Sequence, residues 1–291
     1  MKRILITGQN SYIGNSFEQY IKENYPSDYY IEKISMKNDE WKSMCFGDYD
    51  SIFHVAGIAH SDTGKATAET KMLYYKINTE LTAEIAAKAK AEGVRQFVFL
   101  SSSIVYGESA PIGKEKIITK DSPVDPANFY GDSKLQAEVK ISAIANDCFK
   151  VCIMRLPMIY GKGSKGNYPI LSKIAKKLPI FPKVSNSRSM LYIGNLVEFT
   201  RLVIENEDNG IFWPQNKEYS NVSRLVQMIA SVQGKKIRLI GGFSWALKIM
   251  SHLTRLVNKA FGNLVYEQSM SEYKYEYRKY TLEESIRIVE S

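Results

Sequence analysis

The sequence predicts an α/β fold: a doubly wound parallel sheet with a smaller C-terminal α+β lobe. Three observations predict it. Short apolar runs alternate with longer stretches whose apolar residues recur at helical spacing, the βαβ rhythm of a parallel sheet. The first run, Lys2–Thr7, passes directly into a turn bracketed by Gly8 and Gly14. Gly8, His54, Ser102 and Pro157 each follow a strand, and open α/β sheets bind ligands at the carboxyl ends of their strands.

The elements follow in order. Lys2–Thr7 reads as a buried parallel strand, and Ile13, Phe17, Tyr20 and Ile21 mark the helix after it. A second strand is expected near Tyr29–Ile34 and a third at Asp50–Val55. A long helix spans about Lys71–Glu92. The fourth strand, Gln96–Leu100, leads into Ser101. A helix over Tyr130–Asn146 precedes the fifth strand, Lys150–Arg155. Pro157 and the glycines at 161, 163 and 166 mark a change of character. The expected division is therefore a dinucleotide-binding domain at 1–160 with a return segment at 189–217, and a substrate lobe at 161–188 and 218–291.

A chain of 291 residues accommodates one large domain or a domain with a small lobe. Its 44% hydrophobic content is ordinary for a globular protein, and no apolar run approaches the ~20 residues that cross a bilayer. Met1-Lys2-Arg3 opens straight into the first strand, so no signal peptide is expected. Cys45, Cys148 and Cys152 lack metal-ligand spacing and read as reduced, buried cytosolic thiols, which makes the expected location cytoplasmic. The net charge of +8 suits an anionic small molecule, and also nucleic acid or an acidic membrane. No RNA-binding motif accompanies it, so nucleic acid is not expected as a partner. Phe243–Phe261 carries apolar residues at helical spacing among basic ones. It reads as a lobe helix packed on the core in preference to a membrane-surface helix.

The strand, glycine turn and helix at the N-terminus are the parts of a dinucleotide site. Backbone N–H groups at a helix N-terminus cradle a pyrophosphate, and glycines let it approach. Thr7, Gly8, Asn10, Ser11, Tyr12, Ile13 and Gly14 are the candidate cofactor residues. The spacing is Thr-Gly-x-x-x-x-x-Gly, with Ser11 where such loops usually carry a middle glycine. At the end of the second strand an acid would take the ribose hydroxyls of NAD. Ser35 stands there instead, near Lys37, with Glu32 and Asp39 as the remaining acids. A Ser beside a Lys suits the 2′-phosphate of NADP(H), so both cofactors stay open.

Tyr130 and Lys134 form a Tyr-x-x-x-Lys, and residues four apart share one helix face. A Lys ammonium beside a phenol favours the phenolate. Bringing a Tyr from about 10 to near 7 takes roughly 4 kcal/mol. A Ser hydroxyl can hold the same substrate oxygen. That set suits removal of a proton from a sugar alcohol while hydride leaves to a nicotinamide.

With Thr7-Gly8 to Gly14, His54-Val55-Ala56-Gly57, Asn78, Ser101 to Gly107, Tyr130/Lys134 and Arg155 to Gly161, the chain resembles the extended short-chain dehydrogenase/reductases that act on nucleotide sugars. The resemblance implies a Rossmann fold and an NAD(P)-dependent enzyme with Ser102, Tyr130 and Lys134 as catalytic residues. It implies Ala56, Gly57, Asn78 and Pro157 as further cofactor contacts, with Tyr130 and Lys134 reaching the cofactor as well. Ser103, Asn167 and Arg188 are its implied substrate residues, with the Arg guanidinium matching diphosphate oxygens as a fork. A homodimer is a family expectation.

The resemblance also narrows the reaction. A 4,6-dehydratase of this kind carries an Asp-Glu pair directly after the catalytic hydroxyl residue, and here Ser103 and Ile104 stand there. Two chemistries at C4 of a UDP-hexose in surface-polysaccharide precursor synthesis remain. One is a 4-ketoreductase of a 4-keto-6-deoxy UDP-sugar, favoured by the short lobe and Ser35. The other is a UDP-glucose or UDP-N-acetylglucosamine 4-epimerase. A non-catalytic NADP(H)-sensing or RNA-binding relative is the reading from another class, and the intact Ser102, Tyr130 and Lys134 argue against it.

Overall fold

The computed structural model describes residues 1–59, 66–242 and 261–291. The chain divides into two compact units. The first comprises Met1–Gly107, Pro123–Leu156 and Val197–Trp213, and the second Glu108–Ser122, Pro157–Leu196 and Pro214–Ser291.

The first unit is built on a six-stranded parallel sheet. Its strands include β1 (Lys2–Thr7), β2 (Tyr29–Ile34), β3 (Ser51–His54) and β4 (Gln96–Ser102). The spatial order is Gly210–Phe212, Lys150–Leu156, β4, β3, β1, β2. The expected doubly wound parallel sheet is therefore what forms. From β1 the chain first adds β2 on one side, then crosses back to add β3 on the other, with Thr7 paired to both Ile34 and His54. That reversal places the Gly8 turn at the switch point, where such sheets leave a crevice.

Apolar strands explain the burial. Leu5, Ile52, Phe97 and Phe99 pack with Ile85, Ala89, Ala137, Ile141 and Phe149 in one core cluster. Each such Leu, Ile or Phe side chain contributes about 1.5–3 kcal/mol on burial. The helices over this sheet are α1 (Tyr12–Asn24), the short α2 (Glu40–Ser43), α3 (Ala68–Tyr74), α4 (Thr82–Ala91) and α5 (Phe129–Ala143). The single long helix expected over Lys71–Glu92 is α3 and α4 joined by a wider π-helical stretch, Tyr75–Leu81. Such wide turns recur at functional sites, and this one carries Asn78 and Thr79.

The return to the first unit begins later than the sequence suggests. Met190–Tyr192 pairs with Met158–Tyr160, and both belong to the second unit. The next helix, Ile193–Glu205, leads to Gly210–Phe212, which pairs with Lys150–Leu156. Gln96 fastens this segment: its Nε2 donates to the carbonyls of Val203 (2.9 Å) and Asp208 (3.0 Å).

In the second unit, Ile117–Ile118 pairs with Val265–Tyr266, and Ile180–Pro182 with Arg238–Ile240. Strands of two or three residues show no periodicity, which is why Glu108–Ser122 reads from sequence as part of the first domain. The Leu282–Glu290 helix starts with a capping box between Thr281 and Glu284. It ends at Glu290, whose carboxylate accepts from Tyr168 and Ser172.

Only Cys152 is a buried thiol; Cys45 and Cys148 are exposed, contrary to expectation. Cys148 sits in the tight turn closed by Asn146 and Phe149, and turns lie at the surface. Phe243 to Ala260 and His60 lie outside the described residues. Among the described residues no helix is long and apolar enough to cross a membrane.

Gln96→Leu removes a donor from the half-buried Asp208 carbonyl and the acceptor of the buried Ser51 hydroxyl, while the Val203 carbonyl keeps Asp208 N. It is expected to destabilise by about 1–3 kcal/mol, read as a lower urea midpoint with unchanged slope.

Candidate active site

Side chains alternate along β4, and this sorts the serines. Ser101 is buried and its hydroxyl bonds the Glu138 carboxylate. Ser102 points the other way, toward the Tyr130 phenol, whose pKa it lowers. Ser103 opens a 3-10 turn, Ser103–Tyr106, whose start Ser102 caps by accepting from Ile104 N at 3.4 Å.

Helix α5 meets this turn closely. Asn128 caps it, accepting from Gly131 N at 3.0 Å. A Cβ on Gly131 would sit 2.9 Å from the Ile104 carbonyl oxygen, so glycine after Tyr130 is what lets α5 pack against the turn after β4. Tyr130, Lys134 and Glu138 then descend one side of α5 at four-residue spacing. Lys134 Nζ donates to Leu100 O at 3.0 Å and lies 4.6 Å over the Phe99 ring.

Two buried charges are settled together here. Burial pulls the Lys134 ammonium down to about 8, and the Glu138 carboxylate opposes that pull. Glu138 is in turn clamped by Arg155, with Nη2 at 2.7 Å and Nε at 3.1 Å from Oε2. Arg155 Nη1 donates to the Tyr106 hydroxyl oxygen at 2.6 Å, and Trp213 Nε1 donates to the same oxygen at 2.8 Å.

Lys134 helped by a cationic nicotinamide ring is the expected means of bringing Tyr130 toward 7. In the protein alone, burial pushes Tyr130 up to about 12, Ser102 pulls the other way, and Tyr74 adds to the rise. The physical reason is position: the ammonium is engaged with the Leu100 carbonyl, while a phenolate would be desolvated beside the edge-on ring of Tyr74.

The glycine turn fits a dinucleotide. Gly8 has φ +118°, and a Cβ there would meet Ala56 N at 2.8 Å. A Cβ on Gly14 would press Ile6 at 3.0 Å, so this glycine sets the helix close to the sheet. Ser11 is the N-cap of α1, in extended conformation, accepting from Gly14 N at 3.4 Å. That position needs no positive φ, which explains how Ser replaces the usual glycine. Asn10 precedes the cap. Tyr12 and Ile13 present first-turn N–H groups with no acidic side chain in that turn, a setting that favours an anion. A side chain on Gly57 would meet Asn78 Oδ1 at 3.2 Å and Lys134 Nζ at 3.3 Å, so its absence leaves space over the ammonium.

Other candidates have different work. Asn78 Oδ1 accepts from Ile58 N at 2.8 Å, and its Nδ2 donates to Ile58 O and Ser133 Oγ, both at 3.1 Å. Both N–H groups are used on the protein, so Asn78 holds the Ala56–Gly57–Ile58 loop against α5. Gly8 N and Gln9 N both donate to Ile34 O, which sets Ser35 beside the glycine turn. Ser35 Oγ accepts from Lys37 N at 3.3 Å. Glu32 accepts from Tyr49 (2.5 Å) and Tyr30 (3.2 Å), and Asp39 pairs with Lys42. His54 is buried between Thr7 Oγ1 (2.6 Å) and Thr82 Oγ1 (3.0 Å), and burial lowers it to about 3, so it stays neutral.

Pro157, Asn167 and Arg188 belong to the second unit. Asn167 opens the helix α6 (Asn167–Lys177) after Gly166. Arg188 bridges to Ser220 and Leu264 by its backbone, and its Nη2 donates to Ser109 Oγ at 3.0 Å. Burial pulls the Arg188 guanidinium down to about 10. Sequence reasoning missed Glu138, Tyr106, Ser133 and Thr79. The eight-residue step from Tyr130 to Glu138 was the available signal for the first.

Residues 4–213 match the NAD dependent epimerase/dehydratase family. The chain belongs to that family. A UDP-glucose 4-epimerase of Vibrio cholerae is 28% identical over 90% of this chain and 83% of its own length. An N-acetyl-alpha-D-glucosaminyl-diphospho-ditrans,octacis-undecaprenol 4-epimerase of Escherichia coli O157:H7 is 33% identical over 69% of this chain and 60% of its own. Among solved structures, a dTDP-4-dehydrorhamnose reductase of Clostridium acetobutylicum superposes with TM-score 0.74 at 19% identity, covering 99% of this chain and 98% of that one. A UDP-glucuronic acid 4-epimerase of Bacillus cereus in complex with NAD gives 0.71 at 17%, covering 99% and 96%. At those identities the structures establish the shared fold.

Lys134 supplies a test with a definite sign. Its ordinary value is 10.5 and its folded value about 8. Below pH 8 the native state therefore carries a costly buried ammonium, and that cost disappears as pH rises from 8 toward 10.5. Lys134→Met is expected to raise Tm by a few degrees at pH 7, with the gain shrinking above pH 8. A lower Tm at pH 7 would contradict this.

Proposed function

We propose that the protein is an NAD(P)-dependent oxidoreductase working at C4 of the hexose of a UDP-sugar, and that it is a 4-epimerase. The observation that carries the reading is Tyr130 and Lys134 one turn apart on one face of α5, with Ser102 facing the phenol and the Lys134 ammonium next to Gly57. When bound, the nicotinamide exchanges a hydride with C4. Ser102 and Tyr130 hold the C4 oxygen, and the Tyr130 hydroxyl carries its proton. Lys134 places positive charge on that face, and Glu138 with Arg155 keeps it there. The two 4-epimerases among the sequence relatives support epimerisation over reduction.

A specific observation favours a second reading. A phenol held near 12 is a proton donor at neutral pH, which suits a 4-ketoreductase. Ser35 directly after β2, where an acid would take the ribose hydroxyls of NAD, suits NADP(H) in the same way. A homodimer is part of the proposal, supported by the exposed Met72 and Leu73 on α3 and Val139 on α5. So is a cytoplasmic location.

One portion of purified protein is denatured to release and identify any bound nucleotide, and an untreated portion is given UDP-glucose, UDP-N-acetylglucosamine and a 4-keto-6-deoxy UDP-sugar. Retained NAD and interconversion without added cofactor are expected. Stoichiometric NAD(P)H oxidation on the keto sugar alone would establish the reductase. Tyr130→Phe is expected to abolish turnover and leave dinucleotide binding intact; undiminished turnover would remove Tyr130 from the mechanism.

A further inference from the structure

Two stretches of the chain, 148–197 and 219–266, contain nine and seven Lys or Arg residues and no Asp or Glu. The remainder sets all 31 acidic residues against 23 of the 39 basic ones. The basic excess is therefore regional, and most of it lies in the second unit.

Within that unit the excess meets exposed apolar side chains. On α6, Ile170 is 57% exposed, with Lys173 and Lys177 exposed at helical spacing from it. The chain then leaves the helix through Leu178, 47% exposed, and Ile180, 50% exposed. Arg238 is exposed on the neighbouring strand in register with Ile180. Lys235 Nζ donates to the Lys176 carbonyl at 2.5 Å, which brings two more cations to the same place. Among the described residues, the acid paired with these lysines is Glu290, 3.9 Å from Lys176 and already engaged by Tyr168 and Ser172.

Exposed apolar residues scattered singly need no explanation. Three within eleven residues, interleaved with lysines, make an amphipathic face. Cations near an anionic bilayer gain from its surface potential within about 10 Å at 0.1 M salt, while apolar side chains gain by entering the headgroup boundary. A nucleic acid would use the charges alone: Ile and Leu gain nothing from a phosphodiester backbone, and single-strand binders add exposed aromatic side chains for stacking. Phe181, the aromatic residue of this strand, is 4% exposed.

We propose that this face of the second unit, formed by α6 and the paired strands Ile180–Pro182 and Arg238–Ile240, docks on an anionic lipid bilayer. Ile170, Leu178 and Ile180 enter the headgroup boundary, and Lys173, Lys177 and Arg238 face the lipid phosphates. The proposal is independent of the C4 chemistry, since none of these residues belongs to the site described above.

The test is co-sedimentation of the full chain with phosphatidylglycerol-containing vesicles, with phosphatidylcholine vesicles, and, by gel shift, binding to duplex DNA and single-stranded RNA. Salt-sensitive binding to the anionic vesicles and little to the zwitterionic ones is expected. Each cation contributes roughly fivefold, so combined K173E, K177E and R238E should weaken binding about a hundredfold. L178S with I180S should weaken it severalfold, with thermal melting unchanged because both positions are exposed. Failure of the wild-type chain to bind anionic vesicles at low salt would overturn the proposal. So would vesicle binding indifferent to the charge variants, or nucleic-acid binding that L178S and I180S leave untouched while vesicles are ignored.

Discussion

A cation buried against the carboxyl end of a parallel sheet is the constraint that organises the first unit. Lys134 loses most of its hydration beside Phe99 and Leu100. A bare ammonium there would be costly. Glu138, one turn along α5, supplies the opposing carboxylate. That carboxylate needs partners of its own, and Arg155 and Ser101 provide them. Arg155 then extends the chain of bonds to Tyr106 and, through it, to Trp213. The sheet, α5, the turn after β4 and the return segment are thus linked by one buried polar network. Such networks are stabilising only when every member is satisfied.

The dinucleotide side is held by a second, neutral chain. His54 joins Thr7 at the end of β1 to Thr82 at the start of α4. Its neutrality follows from burial and from the nearby positive Lys134. Because its folded value lies below the ordinary 6.5, it contributes stability above that pH and loses it as pH falls toward 3. Asn78 and Thr79 add the next link: the first grips the loop after β3, and the second donates to the Ser133 carbonyl at 2.7 Å. The wide π turn sets both on the side facing α5, so the glycine turn, the Gly57 loop and the Tyr130 helix share one frame.

Much of this was legible in the sequence. β1 and β2 follow from apolar runs bounded by turn residues, and the structure has them at Lys2–Thr7 and Tyr29–Ile34. Ser102 was distinguishable from Ser101 only through the family resemblance, and strand alternation is why the two hydroxyls face different partners. Other features were hidden for physical reasons. Two-residue strands such as Ile117–Ile118 are paired by contacts distant in sequence and have no period. Asn78 looks identical as a ligand or as a clamp until its three hydrogen bonds are seen. The raised phenol of Tyr130 depends on burial and on Tyr74, neither of which the Tyr-x-x-x-Lys spacing encodes. Glu138 was readable only if the four-residue step was continued past Lys134.

The central claim is that the Ser102–Tyr130–Lys134 face directs hydride movement at C4. The most direct measurement is the fate of deuterium placed at C4 of UDP-glucose, or of UDP-N-acetylglucosamine, during turnover in ordinary water. Inverted product that keeps its deuterium at C4, formed without added cofactor, is the expected result. Inverted product with the label lost to solvent would contradict hydride transfer and require a different chemistry at this site.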